Sequence, residues 1–300
     1  MKNLPDARLM LLTALASVLV AITLIAIKAV AWHLSGSVAM LASLVDSLMD
    51  AAASLVNLLA IRYSLVPADA EHRFGHGKAE ALAGLGQALL ITVSALFLLN
   101  ESITRLLVPQ PLQATGVAIT VMGLSIVLTL ALLRLQHYTV QRTGSTAVEA
   151  DSLHYLSDVA MNLAILVALA GAGLGWLWLD GSAGVLVGLY VLFAAWQVGN
   201  RSVQLLLDRE MPDEVRQQIA ALVAEHPQIL GFHQLRTRQA GRTCFIQMHV
   251  DMDENLTLRE AHLLVDSLER RILDVFPEAD VLIHQDPVKV APKVPWQDAP

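Results

Sequence analysis

Apolar residues fill six blocks in the first two-thirds of the chain, at about 9–33, 38–63, 79–107, 115–138, 147–174 and 177–207. A helix rises 1.5 Å per residue, so about 20 residues cross a hydrocarbon core roughly 30 Å thick. Every block reaches that length, which predicts six transmembrane helices. Ser35-Gly36-Ser37, Pro109-Gln110-Pro111, Thr143-Gly144-Ser145 and Gly173-Leu174-Gly175 supply breaks between them. After Arg209 the pattern changes. Met211-Pro212-Asp213-Glu214 opens a helix that runs on through 215–225. Residues 233–239 and 244–251 alternate apolar and polar around Ala240-Gly241-Arg242, a hairpin pattern. An amphipathic helix over 258–276 and a short strand over 281–286 follow. The order αββαβ predicts a small α+β domain with its helices on one sheet face. The expected division is a six-helix membrane domain at 1–208, the α+β domain at 209–287, and a flexible, proline-containing tail at 288–300.

Two membrane blocks break the apolar pattern in a regular way. In the second, Ser43, Asp46, Ser47, Asp50, Ser54 and Asn57 recur at helical spacing and form one stripe. In the fifth, Asp151, His154, Asp158 and Asn162 do the same. An ionised Asp at bilayer depth costs about 2.5–3.5 kcal/mol on insertion scales, so such stripes face protein or water and need a compensating partner. If the stripes face each other, three carboxylates and one imidazole converge, a set that holds protons or binds a dication. One His with three Asp in four-coordinate geometry suits zinc, and N/O sites of this kind also take Fe(II), Mn(II), Co(II) or Cd(II). Helix–helix contact or a proton relay is the alternative. Two i,i+4 pairs on two helices favour a cation site over either.

Composition narrows the class. The chain is 55% hydrophobic and 16% charged, more apolar than an ordinary soluble protein. Residues 1–207 hold ten Lys/Arg and eleven Asp/Glu, a net of −1, while residues 208–300 hold ten and sixteen, a net of −6. An acidic soluble part argues against nucleic acid as a partner. Cys244 is the single cysteine, which leaves no internal disulfide and no Cys-rich zinc site. Lys2 and Arg8 precede the first block, which is too long for a signal-peptide core and lacks an obvious cleavage site. Basic residues cluster at alternate loops (Arg62, Arg73 and Lys78; Arg134 and Arg142; Arg201 and Arg209), and Trp32, Trp176 and Trp178 mark the other interface. Both termini are therefore expected on the cytoplasmic side.

Outside the blocks, Asp69, His72 and His76 put one carboxylate and two imidazoles within eight residues of one loop, enough to close on a metal. In the tail domain, Phe245, Gln247, His249 and Asp251 share one strand face, and Leu282, His284 and Asp286 share another. On sequence alone these histidines are equally well read as scattered surface residues.

Asp46-x-x-x-Asp50 in the second helix, His154-x-x-x-Asp158 in the fifth, and Arg73-Phe74-Gly75-His76-Gly77-Lys78 after the second resemble the motifs of the cation diffusion facilitator family. The resemblance covers nearly the whole chain. It implies a homodimeric antiporter of the bacterial inner membrane, not an enzyme, that exchanges cytoplasmic divalent metal for protons. Zn(II) would be the main ion, with Fe(II) and Cd(II) as further substrates. It implies a metallochaperone-like tail domain. It assigns Asp46, Asp50, His154 and Asp158 to the transport site and Asp69, His72 and His76 to a secondary zinc site. It assigns His233, His249, His262, His284 and Asp286 to a binuclear zinc site at the dimer interface. Two other classes compete. A membrane-anchored metal sensor needs no metal site at bilayer depth. An intramembrane hydrolase needs a nucleophile or water-activating motif, and no HExxH or GxSxG stands in the spans.

Overall fold

The computed structural model describes residues 6–35, 38–108, 116–172, 176 and 178–288. The expected tail lies outside them from residue 289 on. So do Gly36-Ser37, Pro109-Gln110-Pro111 and Gly173-Leu174-Gly175, on which three of the expected breaks fall. The chain divides into two compact units, 1–203 and 204–300.

Unit 1 is built from α1 (Asp6–Ser35), α2 (Val38–Ser64), α3 (Lys78–Leu107), α4 (Gly116–Thr143), α5 (Thr146–Ala172) and α6 (Trp178–Leu206). All but α5 are helices long and apolar enough to cross a membrane. The fifth carries Glu149, Asp151, His154 and Asp158, and it packs among α2, α3 and α4, where those groups find partners. The α4–α5 connection is two residues long. Gly144 takes a positive φ of 66° as α4 ends, and the Ser145 hydroxyl accepts from the Val148 N–H to cap α5.

α6 lies close against α3 because its contact face is glycine. Gly181, Gly184 and Gly188 sit at helical spacing, and a Cβ on Gly181 would lie 2.7 Å from the Leu106 backbone nitrogen. On Gly184 it would clash with the Ser102 hydroxyl. Small residues at such a seam let two backbones approach. Gly181→Leu would push against the backbone and Cβ of Leu106, so it is expected to destabilise the membrane unit by roughly 1–3 kcal/mol. A lowered midpoint of thermal unfolding in detergent measures the effect.

Unit 2 holds α7 (Asp213–Ala224), β1 (Gly231–Ala240), β2 (Thr243–Met252), α8 (Leu258–Val275) and β3 (Ala279–Pro287). The sheet order is β1-β2-β3; β1 and β2 pair antiparallel, and β2 and β3 pair parallel. A parallel neighbour needs a crossover, and α8 supplies it. Its start is fixed by a capping box: Thr257 Oγ1 accepts from Glu260 N–H, and the Glu260 carboxylate accepts from Thr257 N–H. Gly241, at a φ of 59°, turns the β1–β2 hairpin. Cys244, Ile246, Met248 and Val250 alternate inward along β2 and meet Ile219, Val223, Leu268 and Ile272 of the two helices. This core leaves the other sheet face free for polar side chains. Cys244 is part of the core, and burial pushes its thiol up to about 11.

Candidate metal centres

Among the described residues, three clusters of His and Asp have ligand atoms that all lie within 4.8 Å of one another: Asp50, His154 and Asp158; Asp69, His72 and His76; and His233, His249 and Asp286. Around a tetrahedral ion with bonds of about 2.1 Å, ligand atoms stand about 3.4 Å apart, and each cluster can be measured against that spacing.

The first joins the two polar stripes. α2 and α5 run antiparallel in register, so Asp50 meets His154, Ser54 meets Asp151, and Asn57 meets the Ala147 carbonyl. His154 Nε2 lies 2.8 Å from Asp50 Oδ1 and 4.0 Å from Asp158 Oδ2. These distances bracket the tetrahedral spacing. Asp46, one turn along α2, is exposed and is not within the close group. Lys28 of α1 reaches the same face, its Nζ donating to Ser47 Oγ at 2.6 Å and to the Ser43 carbonyl at 3.2 Å.

The second cluster closes the α2–α3 loop. Asp69 Oδ1 accepts from the Glu71 and His72 N–H groups at 2.9 and 2.6 Å, a turn that aims the carboxylate back at the loop. The His72 N–H, with a smaller contribution from that of Glu71, holds the Asp69 carboxyl below the usual carboxylate range. Asp69 Oδ2 is 3.4 Å from His76 Nε2, and Oδ1 is 3.6 Å from His72 Nδ1, a close fit to the tetrahedral spacing. His76 is buried beside Tyr63, and its Nδ1 lies 3.2 Å from the Val66 carbonyl. A donor on Nδ1 leaves Nε2 as the ligating nitrogen. Gly75, at a φ of 78°, supplies the bend that returns the chain to α3.

The third cluster is a row across the sheet. His233 pairs with His249, and His249 pairs with His284, so three imidazoles stand on adjacent strands, with Asp251 opposite Asp286 two residues on. Ring centroids are 5.1 and 4.6 Å apart, the strand spacing itself. Asp286 stands among all three. Its Oδ2 is 2.7 Å from His249 Nδ1 and 3.4 Å from His233 Nε2, while Oδ1 is 3.3 Å from His284 Nε2. Asp251 Oδ1 also lies 3.4 Å from His233 Nε2. Gly231 makes room for that carboxylate, because a Cβ there would lie 2.7 Å from Asp251 Oδ2. His262 is exposed on α8, 3.8 Å from Asp266, and is not in this group.

Sequence reasoning left three features unread. No motif in the sequence gives Lys28 a role. Strand alternation puts Asp251 on a face and names no partner for it. Glu80, buried on α3, accepts from the Ser145 hydroxyl and from the Thr146 and Ala147 N–H groups at the start of α5. The alternation of β2 carried a signal for Asp251; nothing local marks Glu80.

Comparison with known proteins covers almost the entire chain. Residues 14–207 match the cation efflux transmembrane domain, and residues 211–288 match the cation efflux protein cytoplasmic domain. The chain is 52% identical over 290 residues to the cation-efflux pump FieF of Klebsiella pneumoniae, covering 97% of each chain. It is 50% identical over 281 residues to FieF of Shewanella oneidensis, covering 94% of this chain and 95% of that one. Among solved structures, the metal-bound C-terminal domain of the CzcD transporter from Thermotoga maritima matches 27% of this chain and 99% of that domain, at 25% identity and a TM-score of 0.26.

Proposed function

Because this chain belongs to the cation efflux family, we propose that it is a proton-coupled antiporter exporting divalent metal, Zn(II) first and Fe(II) or Cd(II) besides. The observation that carries the reading is the meeting of Asp50, His154 and Asp158 between two membrane helices, at distances that bracket a tetrahedral ion. In this reading Asp46 completes the transport site when α2 shifts, which explains why it stands apart and exposed in the present arrangement. Proton coupling follows from the ligands. Metal binding displaces protons, so exposure to a more acidic side returns them and releases the ion. A rocking of helices about the site then alternates its access. The FieF relatives are named as cation-efflux pumps, and export is the direction proposed here.

The same reading makes the membrane domain 1–208 and the domain 209–287 cytoplasmic, both termini cytoplasmic, and the membrane the bacterial inner membrane. The Asp69–His72–His76 loop holds a second zinc ion. His233, His249, His284 and Asp286 hold a zinc pair, with His262 supplied across a homodimer. Support for the dimer is that His262 is exposed and lies outside its own chain's cluster.

The test is zinc flux in proteoliposomes under an imposed pH gradient. Zinc accumulation that follows the gradient and collapses when a protonophore dissipates it is the expected result. Zinc binding without movement of Zn(II), Fe(II) or Cd(II) under any gradient would instead leave the sensor reading.

A further inference from the structure

Among the carboxylates, the imidazole and the polar groups beyond them toward the α5 N-terminus, exposure falls in one direction along both helices. On α2, Asp46 is exposed, the Asp50 side chain is 15% exposed, and Ser54 and Asn57 are buried. On α5, the Asp158 side chain is 34% exposed and that of His154 21%, while Asp151 and Ala147 are buried. Because the helices are antiparallel, both gradients point the same way. The cluster is open toward Asp46 and closed toward the α5 N-terminus.

What closes it is polar. Asp151 sits one turn from His154, and its oxygens receive hydrogen bonds from three other helices: Ser54 Oγ of α2 at 3.2 Å, Gln87 Nε2 of α3 at 3.2 Å and Gln136 Nε2 of α4 at 2.8 Å. Gln136 Nε2 also reaches Ser17 Oγ of α1 at 3.1 Å, and the Tyr155 hydroxyl donates to the Ser17 carbonyl at 3.1 Å. Ser17, Ser54, Gln87, Gln136, Asp151 and Tyr155 are all buried. Five helices are thus tied at a single level, through one carboxyl. Farther toward the same end, Glu80 of α3 caps the start of α5, and Arg201 of α6 pairs with Glu149 at 2.7 Å.

A network of apolar contacts can slide, but a buried carboxyl that loses its donors is left unsatisfied at a cost of about 1–3 kcal/mol or more. A half-made network of this kind is costly, so its members are best served either fully paired, as here, or opened to water. From this we infer that Asp151 is the latch of the gate on the α5 N-terminal side: a positioning residue that holds the metal cluster closed to that side and lets go when it opens. Gln87 is the tie that fastens α5 to α3. This inference rests on the transport reading, under which the closed side is the cytoplasm and the arrangement described is outward-facing.

The test uses the full chain in proteoliposomes, with a cysteine at Ser157, half-buried between His154 and Asp158, and a membrane-impermeant maleimide added to either side. Cys244 contributes little background, being buried with its thiol pushed up to about 11. Asp151→Asn keeps one acceptor oxygen and turns the other into a donor, so that with Ser54 and Gln87 still served at Oδ1 the new NH2 faces the Gln136 Nε2 donor. Gln87→Met removes only the tie to α3 and guards against a folding defect. In both variants the labelling rate from the α5 N-terminal side should rise about tenfold relative to the other side, the shift expected from losing one hydrogen bond of ordinary net strength. Zinc affinity in detergent should stay within about threefold of the parent, since no metal ligand has changed. Unchanged sidedness in both variants overturns the latch. Loss of zinc binding in Asp151→Asn also overturns it, because Asp151 would then be a ligand. If the parent moves no metal under any gradient, the transport reading falls, and the labelling still reports whether the network closes that side.

Discussion

Asp50→Ala and His154→Ala are each expected to abolish zinc flux, lowering it more than about 100-fold, because even the outer-shell partners of a metal site cost 10–100-fold when removed. The two residues lie in contact, His154 Nε2 being 2.8 Å from Asp50 Oδ1, so either change removes a ligand and the group that orients its neighbour. The double variant should be no worse than either single one, as expected for groups that act as a unit. The fold should survive. Both side chains are partly exposed, and the packing of α5 at this level is carried by Leu153 and Tyr155, which are buried. Helical circular dichroism and the elution volume in detergent check that point, and initial zinc uptake under a pH gradient checks the effect. A variant with native fold and half the parent's flux would move the transport site elsewhere. Asp46→Ala is the informative third case. It stands outside the close group here, so it should weaken capture of the ion more than it disturbs the resting cluster.

The pattern along the chain was enough for the element order, and physics explains why. A membrane helix must satisfy its backbone internally and present apolar side chains, so its signature is long and local. The alternation of β2 likewise follows from a period of two. Membership of the cation efflux family bears out the reading of a helical membrane domain followed by a cytoplasmic α+β domain. What stayed hidden is non-local. The stripe containing Asp151 is visible in the sequence, but its donors come from Ser54, Gln87 and Gln136, 97, 64 and 15 residues away. Ser54 belongs to the polar stripe of α2, but Gln87 and Gln136 are unremarkable in their own helices. Register was hidden too. That His233, His249 and His284 form one row depends on β3 joining β2 in parallel, with a bulge between His233 and Arg236 holding the β1 side in place. Glu80 reads as an ordinary acidic residue in the first turn of α3, yet its carboxylate is spent on the start of α5.

Asp286→Ala is expected to strip both zinc ions of the proposed pair from the tail domain, whereas His284→Ala removes one. The difference lies in how the carboxylate is shared. Asp286 Oδ2 faces His249 and His233, and Oδ1 faces His284, so in the proposed pair its two oxygens would serve two separate coordination spheres. Losing His284 empties one sphere; losing Asp286 opens both. Asp251 is positioned to partly rescue the sphere containing His233, from which it stands 3.4 Å away. Asp286→Ala combined with Asp251→Asn should therefore hold less zinc than Asp286→Ala alone. Zinc per chain, measured by elemental analysis of the full protein in detergent after exhaustive dialysis, distinguishes these outcomes. Asp286 also holds the three imidazoles together without metal, so its loss leaves three histidines on adjacent strands with no shared acceptor.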